Sequence, residues 1–301
     1  LVTRLYAPAD FGLFATFMTY AGALGAASAW RYEQAILLPT SHQTACKVFG
    51  VAMAATGITG LLTFLFIAIA GPWFATITGL QKLQDYLWLM PVAGIVTGLF
   101  HVFSFRANRF RKYSPMARSN VVQSGTSSAV KVGAGWWHAH PAGLIWSYIA
   151  GHGLAAAYLW HKMPVAGKLQ LPKKREVQQL LHLAGHYRYF PVYDMPQVVL
   201  FSISGNLPVI VFTRYFSEAQ AGFYALAFAV VFRPLNVLAK AMHKVFAEKY
   251  IQLYNKGRPV YPALKKMAQR MLLVSLPLAL AAAWAAPPAI SWVFGSKWAL
   301  V

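Results

Sequence analysis

Acidic residues are scarce in this chain: only 7 of its 301 residues are Asp or Glu, against 27 Lys and Arg. Charged residues make up 11% of the sequence, whereas a soluble domain carries about 25%. The sequence contains no adjacent pair of acids and no GxxxxGK[ST] phosphate loop, so glycosidase and ATPase chemistry are not expected. It therefore predicts a protein that is not an enzyme and needs no cofactor.

Cysteine is nearly absent as well. Cys46 is the only one, so neither a disulfide within the chain nor a cysteine-based metal site is expected. His138 and His140 lie two residues apart with no third ligand or carboxylate beside them, which is a poor arrangement for a metal. The sequence predicts no metal centre.

Hydrophobic residues, in contrast, make up 58% of the chain and form long runs without charge, such as 48–81 and 271–296. A run of about 18 or more apolar residues is typical of a membrane-spanning helix. We expect spans near 11–30, 46–71, 86–105, 117–137, 142–161, 191–212, 220–242 and 268–286, with a ninth beginning near 289. The predicted fold class is all-α, a polytopic membrane helix bundle. A basic nucleic-acid-binding protein would not contain such runs, so no nucleic acid is expected as a partner.

The basic residues fall in clusters that alternate between rich and poor gaps along the predicted spans. The richest gaps are 106–118, 162–188 and 240–270, and gaps of this kind lie on the cytoplasmic side of a multi-pass protein. On this interpretation the chain begins on the opposite side. At least one helix should then precede Leu1 if the natural N-terminus is cytoplasmic.

An internal repeat is visible. Residues 3–15 (TRLYAPADFGLFA) and 213–225 (TRYFSEAQAGFYA) are identical at five of thirteen positions and lie 210 residues apart. Both copies precede a span on the same side, which indicates a parallel repeat. We expect an N-terminal half at 1–161 without its first helix, a cytoplasmic linker at 162–188, and the start of a C-terminal half at 189–301.

Several motifs carry a family resemblance, in this order: LVTRLYAPADFGLFATF, WRYEQAILLP, YFPVYDMPQ, LPVIVFTRYFSEAQAGFYALA and APPAISWVFGSKW. Together they resemble the O-antigen and polysaccharide flippases of the multidrug/oligosaccharidyl-lipid/polysaccharide exporter superfamily, which act in lipopolysaccharide biosynthesis. The resemblance implies two six-helix bundles around a central cavity in the bacterial inner membrane. It also implies that an undecaprenyl-pyrophosphate-linked oligosaccharide is moved from the cytoplasmic to the periplasmic leaflet. Asp194, Lys131, His138 and His140 depart from the family's usual pattern.

Arg233 is the first candidate for substrate binding. It lies well inside the span 220–242 and is followed by Pro234, which kinks a helix. A charge at membrane depth is costly unless it faces protein, water or a counter-ion, and a guanidinium pairs well with pyrophosphate oxygens. The alternative is a structural Arg that snorkels to the surface or pairs with Asp194 or a carbonyl.

Lys131 and Arg31 are the other candidates for substrate binding. Lys131 lies in the span 117–137, where it either lines the cavity or snorkels to the outer interface. Arg31 and Glu33 lie at the cytoplasmic end of the first span, as an ion pair at a helix end or as a gate between the halves. If transport is coupled to an ion, Asp194, His101 or His152 are candidates to carry it. The histidines could instead form hydrogen bonds between helices.

Lipid-linked oligosaccharide and membrane lipids are the expected partners, with polysaccharide polymerase or other assembly proteins as further ones. A multidrug or cation antiporter of the same superfamily is the main rival function. Organic cations favour a cavity with acids, however, and the predicted spans hold almost none. A membrane scaffold of polysaccharide assembly that does not transport is the other alternative.

Overall fold

The structure is a computed structural model that describes residues 2–137, 139–163 and 174–231, together with the single residues Tyr261, Lys265, Gln269, Leu272, Leu273 and Trp298. Within these residues every regular element is helical. Backbone amides and carbonyls have no water to bond in a bilayer, so helices that bond internally are the expected solution. The predicted all-α membrane bundle is confirmed.

The helices follow the predicted spans in order but extend beyond several of them. The α-helices are α1 (Val2–Leu5), α2 (Pro8–Ala27), α3 (Tyr32–Ala35), α4 (His42–Thr78), α5 (Leu89–Arg109), α6 (Tyr113–Trp137), α7 (Pro141–Lys162), α8 (Lys174–His186), α9 (Met195–Val211) and α10 (Glu218–Val231). A 3₁₀ turn at Gln81–Tyr86 leads into α5. Two π-helical turns, Phe190–Asp194 and Phe212–Phe216, flank α9.

Four of the described helical stretches are long and apolar enough to cross a membrane: Pro8–Ala35, His42–Thr78, Leu89–Arg109 and Phe190–Phe216. The predicted spans 117–137 and 142–161 are also helical, as α6 and α7, but they are less apolar than these four. The predicted span 220–242 is described only as far as Val231. The predicted helices at 268–286 and near 289 lie outside the described residues.

α4 is the longest helix. Ser41 caps its start by accepting a hydrogen bond from Gln43 N at 3.2 Å, and it ends at Gly79, whose φ of 77° is easy only for glycine. Along its second half the large apolar side chains are exposed: Leu61, Leu62, Phe64, Leu65, Phe66, Ile69 and Trp73. An exposed apolar face of this length is what a lipid-facing helix presents.

Small residues bring the helices of the bundle close together. Gly25 of α2 faces the side chain of Thr97 in α5, and Gly98 of α5 faces Ser28 just beyond α2. Gly94, one turn before Gly98, lies against Leu24. Gly94 and Gly98 thus form a pair of small residues, four positions apart, that lets α5 approach the end of α2 closely.

Two apolar cores lie at opposite ends of the bundle. The core near the basic end, which is the predicted cytoplasmic end, includes Tyr32, Ile36, Phe49, Val102, Phe103 and Leu159. The core near the other end includes Leu13, Phe17, Leu83, Leu87, Met90 and Ile145. α2, α5 and α7 contribute to the core at the far end, so these helices form the centre of the bundle.

Part of the predicted linker is helical. α8 packs against α4, where Lys47 Nζ donates to Gln179 Oε1 at 2.8 Å. Tyr32 reaches the same helix and donates its hydroxyl to the carbonyl of Ala184 at 3.0 Å. The predicted boundaries of the two halves remain predictions, because nothing in the structure tests them.

The chain separates into two compact units, Leu1–Gly222 and Phe223–Val301. The first holds all of the helices from α1 to α9. In the second, the described residues comprise the rest of α10 and a few isolated positions. There the ring of Phe223 lies edge-on to Trp298, with 5.8 Å between ring centroids.

Candidate substrate and ion site

Arg31 lies just beyond the end of α2, in a turn with unusual backbone geometry. Trp30 and Arg31 both have left-handed backbones, with φ of 51° and 62°. This conformation costs roughly 1–2 kcal/mol per residue for an L-amino acid. The turn is held by two hydrogen bonds: Trp30 Nε1 donates to Thr59 Oγ1 at 2.9 Å, and Thr59 Oγ1 donates to the carbonyl of Ser28 at 2.9 Å. A strained turn that the surrounding structure maintains is typical of functional sites.

The turn presents the guanidinium of Arg31 to two carboxylates. Arg31 Nε lies 2.8 Å from Asp194 Oδ2, and Arg31 Nη1 lies 3.2 Å from Glu33 Oε1. Asp194 belongs to the π-helical turn before α9, so this ion cluster joins the end of the first predicted span to the start of the sixth. The side chains of Arg31 and Asp194 are 16% and 25% exposed. Water and a polar ligand can therefore reach the guanidinium.

Glu33 is the buried member of the cluster. Its side chain is 2% exposed. Oε1 is bonded to Arg31, but Oε2 has no hydrogen-bond partner among the described residues. A buried carboxylate oxygen without a donor costs free energy because it has lost its water. The cluster thus holds two carboxylates against one guanidinium, and Glu33 Oε2 lacks a hydrogen-bond donor among the described residues.

The candidate histidines meet at one aromatic side chain. The rings of His101 in α5 and His152 in α7 lie 6.2 Å and 5.7 Å from the ring of Phe100, measured between centroids. His152 Nδ1 lies 3.1 Å from the carbonyl of Tyr148, one turn earlier in its own helix. That bond lies within one helix, so for this nitrogen the expected hydrogen bond between helices is wrong.

The link between α5 and α7 at this level comes from a neighbouring pair instead. Thr97 Oγ1 and the hydroxyl oxygen of Tyr148, Oη, lie 2.9 Å apart and share a hydrogen bond. Of the predicted site residues, the structure pairs Arg31 with Asp194, whereas His101 and His152 share a contact with Phe100. Among the residues that the structure describes, no group of three His, Cys, Asp or Glu side chains could hold a metal ion.

This arrangement of charged and polar groups among membrane-spanning helices is accompanied by a match over the complete sequence. A family model described as "Polysaccharide biosynthesis protein" matches residues 1–301. The chain belongs to this polysaccharide biosynthesis family. Neither the curated proteins nor the solved structures contain a significant match. Together with the apolar helices, the family establishes a multi-pass membrane protein related to polysaccharide biosynthesis.

Lys131, another predicted substrate residue, is not part of the cluster. Lys131 lies in α6 with its ammonium 5.6 Å from the ring centroid of Phe14, near the start of α2. Phe14 and Arg31 are 17 residues apart, which corresponds to about 25 Å along a helix. Lys131 is therefore near the other end of the bundle. Arg233 lies outside the described residues, so its proposed contact with Asp194 or substrate stays a prediction.

Sequence reasoning missed the role of Arg109. Its guanidinium donates to the carbonyl of Leu37 at 3.1 Å and to those of Pro39 and Thr40, so it holds the segment between α3 and α4 against the end of α5. The only available signal was its place in a basic gap, which indicated orientation rather than contact. Arg109 fixes the chain that follows Arg31 and so supports the candidate site.

Proposed function

We propose that this protein is a flippase that moves an undecaprenyl-pyrophosphate-linked oligosaccharide from the cytoplasmic to the periplasmic leaflet of the bacterial inner membrane by alternating access. The observation that carries the proposal is the position of Arg31. It lies at the basic end of the bundle, in a maintained left-handed turn, with its charge balanced by carboxylates from two separate segments. The family match supports a role in polysaccharide biosynthesis.

The chemistry of the cluster suits a pyrophosphate. A guanidinium forms charge-assisted, bidentate hydrogen bonds with carboxylate and phosphate oxygens alike. Asp194 and Glu33 can therefore occupy the same donors that a pyrophosphate would take. When the substrate's phosphates bind Arg31, they compete with Asp194, which is the more exposed of the two carboxylates.

This competition offers a link between binding and movement. The Arg31–Asp194 pair joins segments that lie before and after the predicted linker, so replacing Asp194 by phosphate would free these segments to move apart. A ligand shifts a conformational equilibrium only through its different affinity for the two states. A substrate that binds Arg31 only after Asp194 has been displaced provides such a difference.

Arg233 and Lys131 complete the proposal as further cations. Arg233 is placed by its sequence in a span and is proposed to contact the pyrophosphate with Arg31. Lys131 lies toward the predicted periplasmic end, so it would meet the substrate later in the cycle. His101, His152 and Asp194 are proposed to carry a coupling ion. The protein itself is proposed to be a transporter rather than an enzyme, with polysaccharide assembly proteins as further partners.

The test is transport by the full-length protein in proteoliposomes that contain a fluorescent lipid-linked oligosaccharide. A membrane-impermeant lectin reports the leaflet in which the sugar is found. Because a hydrogen bond to a charged group contributes about 1.5–3 kcal/mol, Arg31→Ala is expected to lower transport by about tenfold or more. Arg31→Lys should keep part of it, since a lysine retains the charge but not the bidentate geometry.

Arg111 provides a matched control. It is also an arginine at the basic end with a left-handed backbone, at φ 54°, but it is exposed. Arg111→Ala is expected to transport like the wild type. Normal transport by Arg31→Ala at normal abundance would remove Arg31 from the mechanism. Wild-type protein that does not move the lipid, yet exports organic cations, would favour the antiporter.

A further inference from the structure

The two copies of the sequence repeat have the same local structure. In the first copy, Ala7 occupies the N-cap of α2, and its N–H donates to Asp10 Oδ2 at 2.9 Å. In the second copy the equivalent residue is Ser217, whose Oγ accepts from the N–H of Gln220, the equivalent of Asp10, at 3.2 Å. These two bonds are the two halves of one capping box. α2 and α10 therefore begin in the same way, 210 residues apart.

The two helices also touch each other at equivalent residues. Gly12 and Gly222 are a matched pair in the repeat, and both are buried. A methyl group added to Gly12 would overlap the carbonyl oxygen of Glu218, and one added to Gly222 would overlap the carbonyl oxygen of Pro8. Pro8 and Glu218 are themselves a matched pair. The contact is thus reciprocal, with each glycine against the other helix's first-turn carbonyl.

Reciprocity of this kind is what a symmetry axis produces. Where a two-fold axis relates two units, residue i of one touches residue j of the other, and j touches i. We propose that the crossing of α2 and α10 at Gly12 and Gly222 marks the pseudo-two-fold axis between the repeated halves and forms the gate at their predicted periplasmic end. The axis is an inference from packing alone. The gate rests on the proposed transport function.

The form of the contact suits a gate. Two helices without side chains at their crossing approach closely through backbone atoms, and the contacts that they make are individually weak. Around the crossing, Thr16 Oγ1 and Thr213 Oγ1 lie 2.6 Å apart, and Lys82 Nζ lies 2.7 Å from Glu218 Oε2. Lys82 is 69% exposed, so its ion pair with Glu218 is weak as well. Separating the helices here breaks few strong interactions.

A reversible cross-link tests the gate directly. In a full-length protein with Cys46→Ser, Lys82→Cys and Glu218→Cys place one thiol on each side of the crossing, where the native side chains meet at their ends. A disulfide needs Cα atoms within about 7 Å, so a bifunctional methanethiosulfonate reagent of about the length of the two native side chains is used to join the thiols. We expect this cross-link to abolish transport in proteoliposomes and dithiothreitol, which cleaves it, to restore transport. The matched control is Thr76→Cys with Gln81→Cys, a pair at the same end whose members lie close together on one side of the crossing. Treatment of this pair with the same reagent should leave transport unchanged.

The outcomes separate the gate from the flippase. If the wild type moves the lipid and the cross-linked Lys82→Cys, Glu218→Cys protein moves it equally well, the gate is wrong and the flippase stands. If the wild type does not move the lipid, the transport function is wrong. A loss of transport confined to the cross-linked crossing pair supports the gate.

Alanine variants test the axis independently of transport. Gly12→Ala and Gly222→Ala should each lower the melting temperature, and the double variant should lower it little further, because either methyl group alone separates the helices. Gly22→Ala is the control, since Gly22 lies in α2 with nothing close to its missing side chain. The axis would be overturned if each crossing variant lowered the melting temperature no more than Gly22→Ala does and the two decreases added in the double variant. If the glycine variants do not accumulate, formation of the reagent-bridged cross-link between Lys82→Cys and Glu218→Cys still decides whether the two sides meet.

Discussion

Removing the charge of Arg31 is expected to destabilise the protein more than removing either of its carboxylate partners. Arg31→Met leaves Asp194 and Glu33 close together without a cation, and Glu33 is almost completely buried. Loss of one partner from a buried ion pair costs about 3–5 kcal/mol. Since the side chains of Arg31 and Asp194 are partly exposed, we expect the loss to lie at the lower end of this range, about 3 kcal/mol.

The two carboxylates should differ from each other. Asp194→Asn keeps an acceptor for Arg31 Nε but loses the charge, so it should cost about 1 kcal/mol. Glu33→Gln should cost less, because it removes a charge that water cannot reach and whose Oε2 has no hydrogen-bond partner in the described structure. The expected order of destabilisation is therefore Arg31→Met, then Asp194→Asn, then Glu33→Gln.

A double-mutant cycle in detergent micelles measures these effects. Unfolding by sodium dodecyl sulfate, followed by tryptophan fluorescence, gives the free energy of unfolding for each variant. In the combined Asp194→Asn, Glu33→Gln background, Arg31→Met should cost less than about 1 kcal/mol, because its charged partners are gone. If its cost stays at the wild-type value, Arg31 is not paired with these carboxylates and the ion cluster is refuted.

Two further predictions concern the packing around this site. Gly98→Ala should lower the free energy of unfolding by about 1–3 kcal/mol, because the added methyl group overlaps the side chain of Ser28. Ser28→Ala in the same protein should restore part of the lost stability. An equal loss in Gly57→Ala, where the space around the glycine is open, would contradict this prediction. Arg109→Lys should speed hydrogen exchange in the segment between α3 and α4, since one ammonium cannot hold the carbonyls that the guanidinium bonds; unchanged exchange there would show that the segment does not depend on this clamp.

The helices could be predicted from the sequence because long apolar runs have few alternatives in a membrane. All six predicted spans that lie wholly within the described residues are helical. α8 was missed because it is amphipathic and lies in a gap rich in charge and proline, where a solvated linker is the simpler expectation. The span was predicted to end at Trp30, but the left-handed backbone of Trp30 and Arg31 was missed, because neither is a glycine or asparagine, the residues that usually adopt it.

The residues of the site could be named from the sequence, but their pairing could not. Arg31 and Asp194 are both charges at the ends of predicted spans, and this selects them as candidates. Asp194 was suggested only as one alternative partner of Arg233, which lies outside the described residues. The structure pairs Asp194 with Arg31, 163 residues earlier. A contact of this range depends on how helices pack, which the hydropathy of single segments does not encode.

The contacts at the two ends of the bundle differ in the physical forces that hold them. At the basic end, Arg31 and Asp194 are joined by opposite charges, so an anionic ligand can compete for the contact. At the other end, Gly12 and Gly222 meet through backbone atoms, and no anion competes with that packing. A transporter that opens its two ends in turn needs a ligand to act on one end without acting equally on the other. This difference in chemistry gives a charged substrate a direct effect at the end where it is proposed to enter, whereas the opposite end responds only through the movement of the helices that connect them.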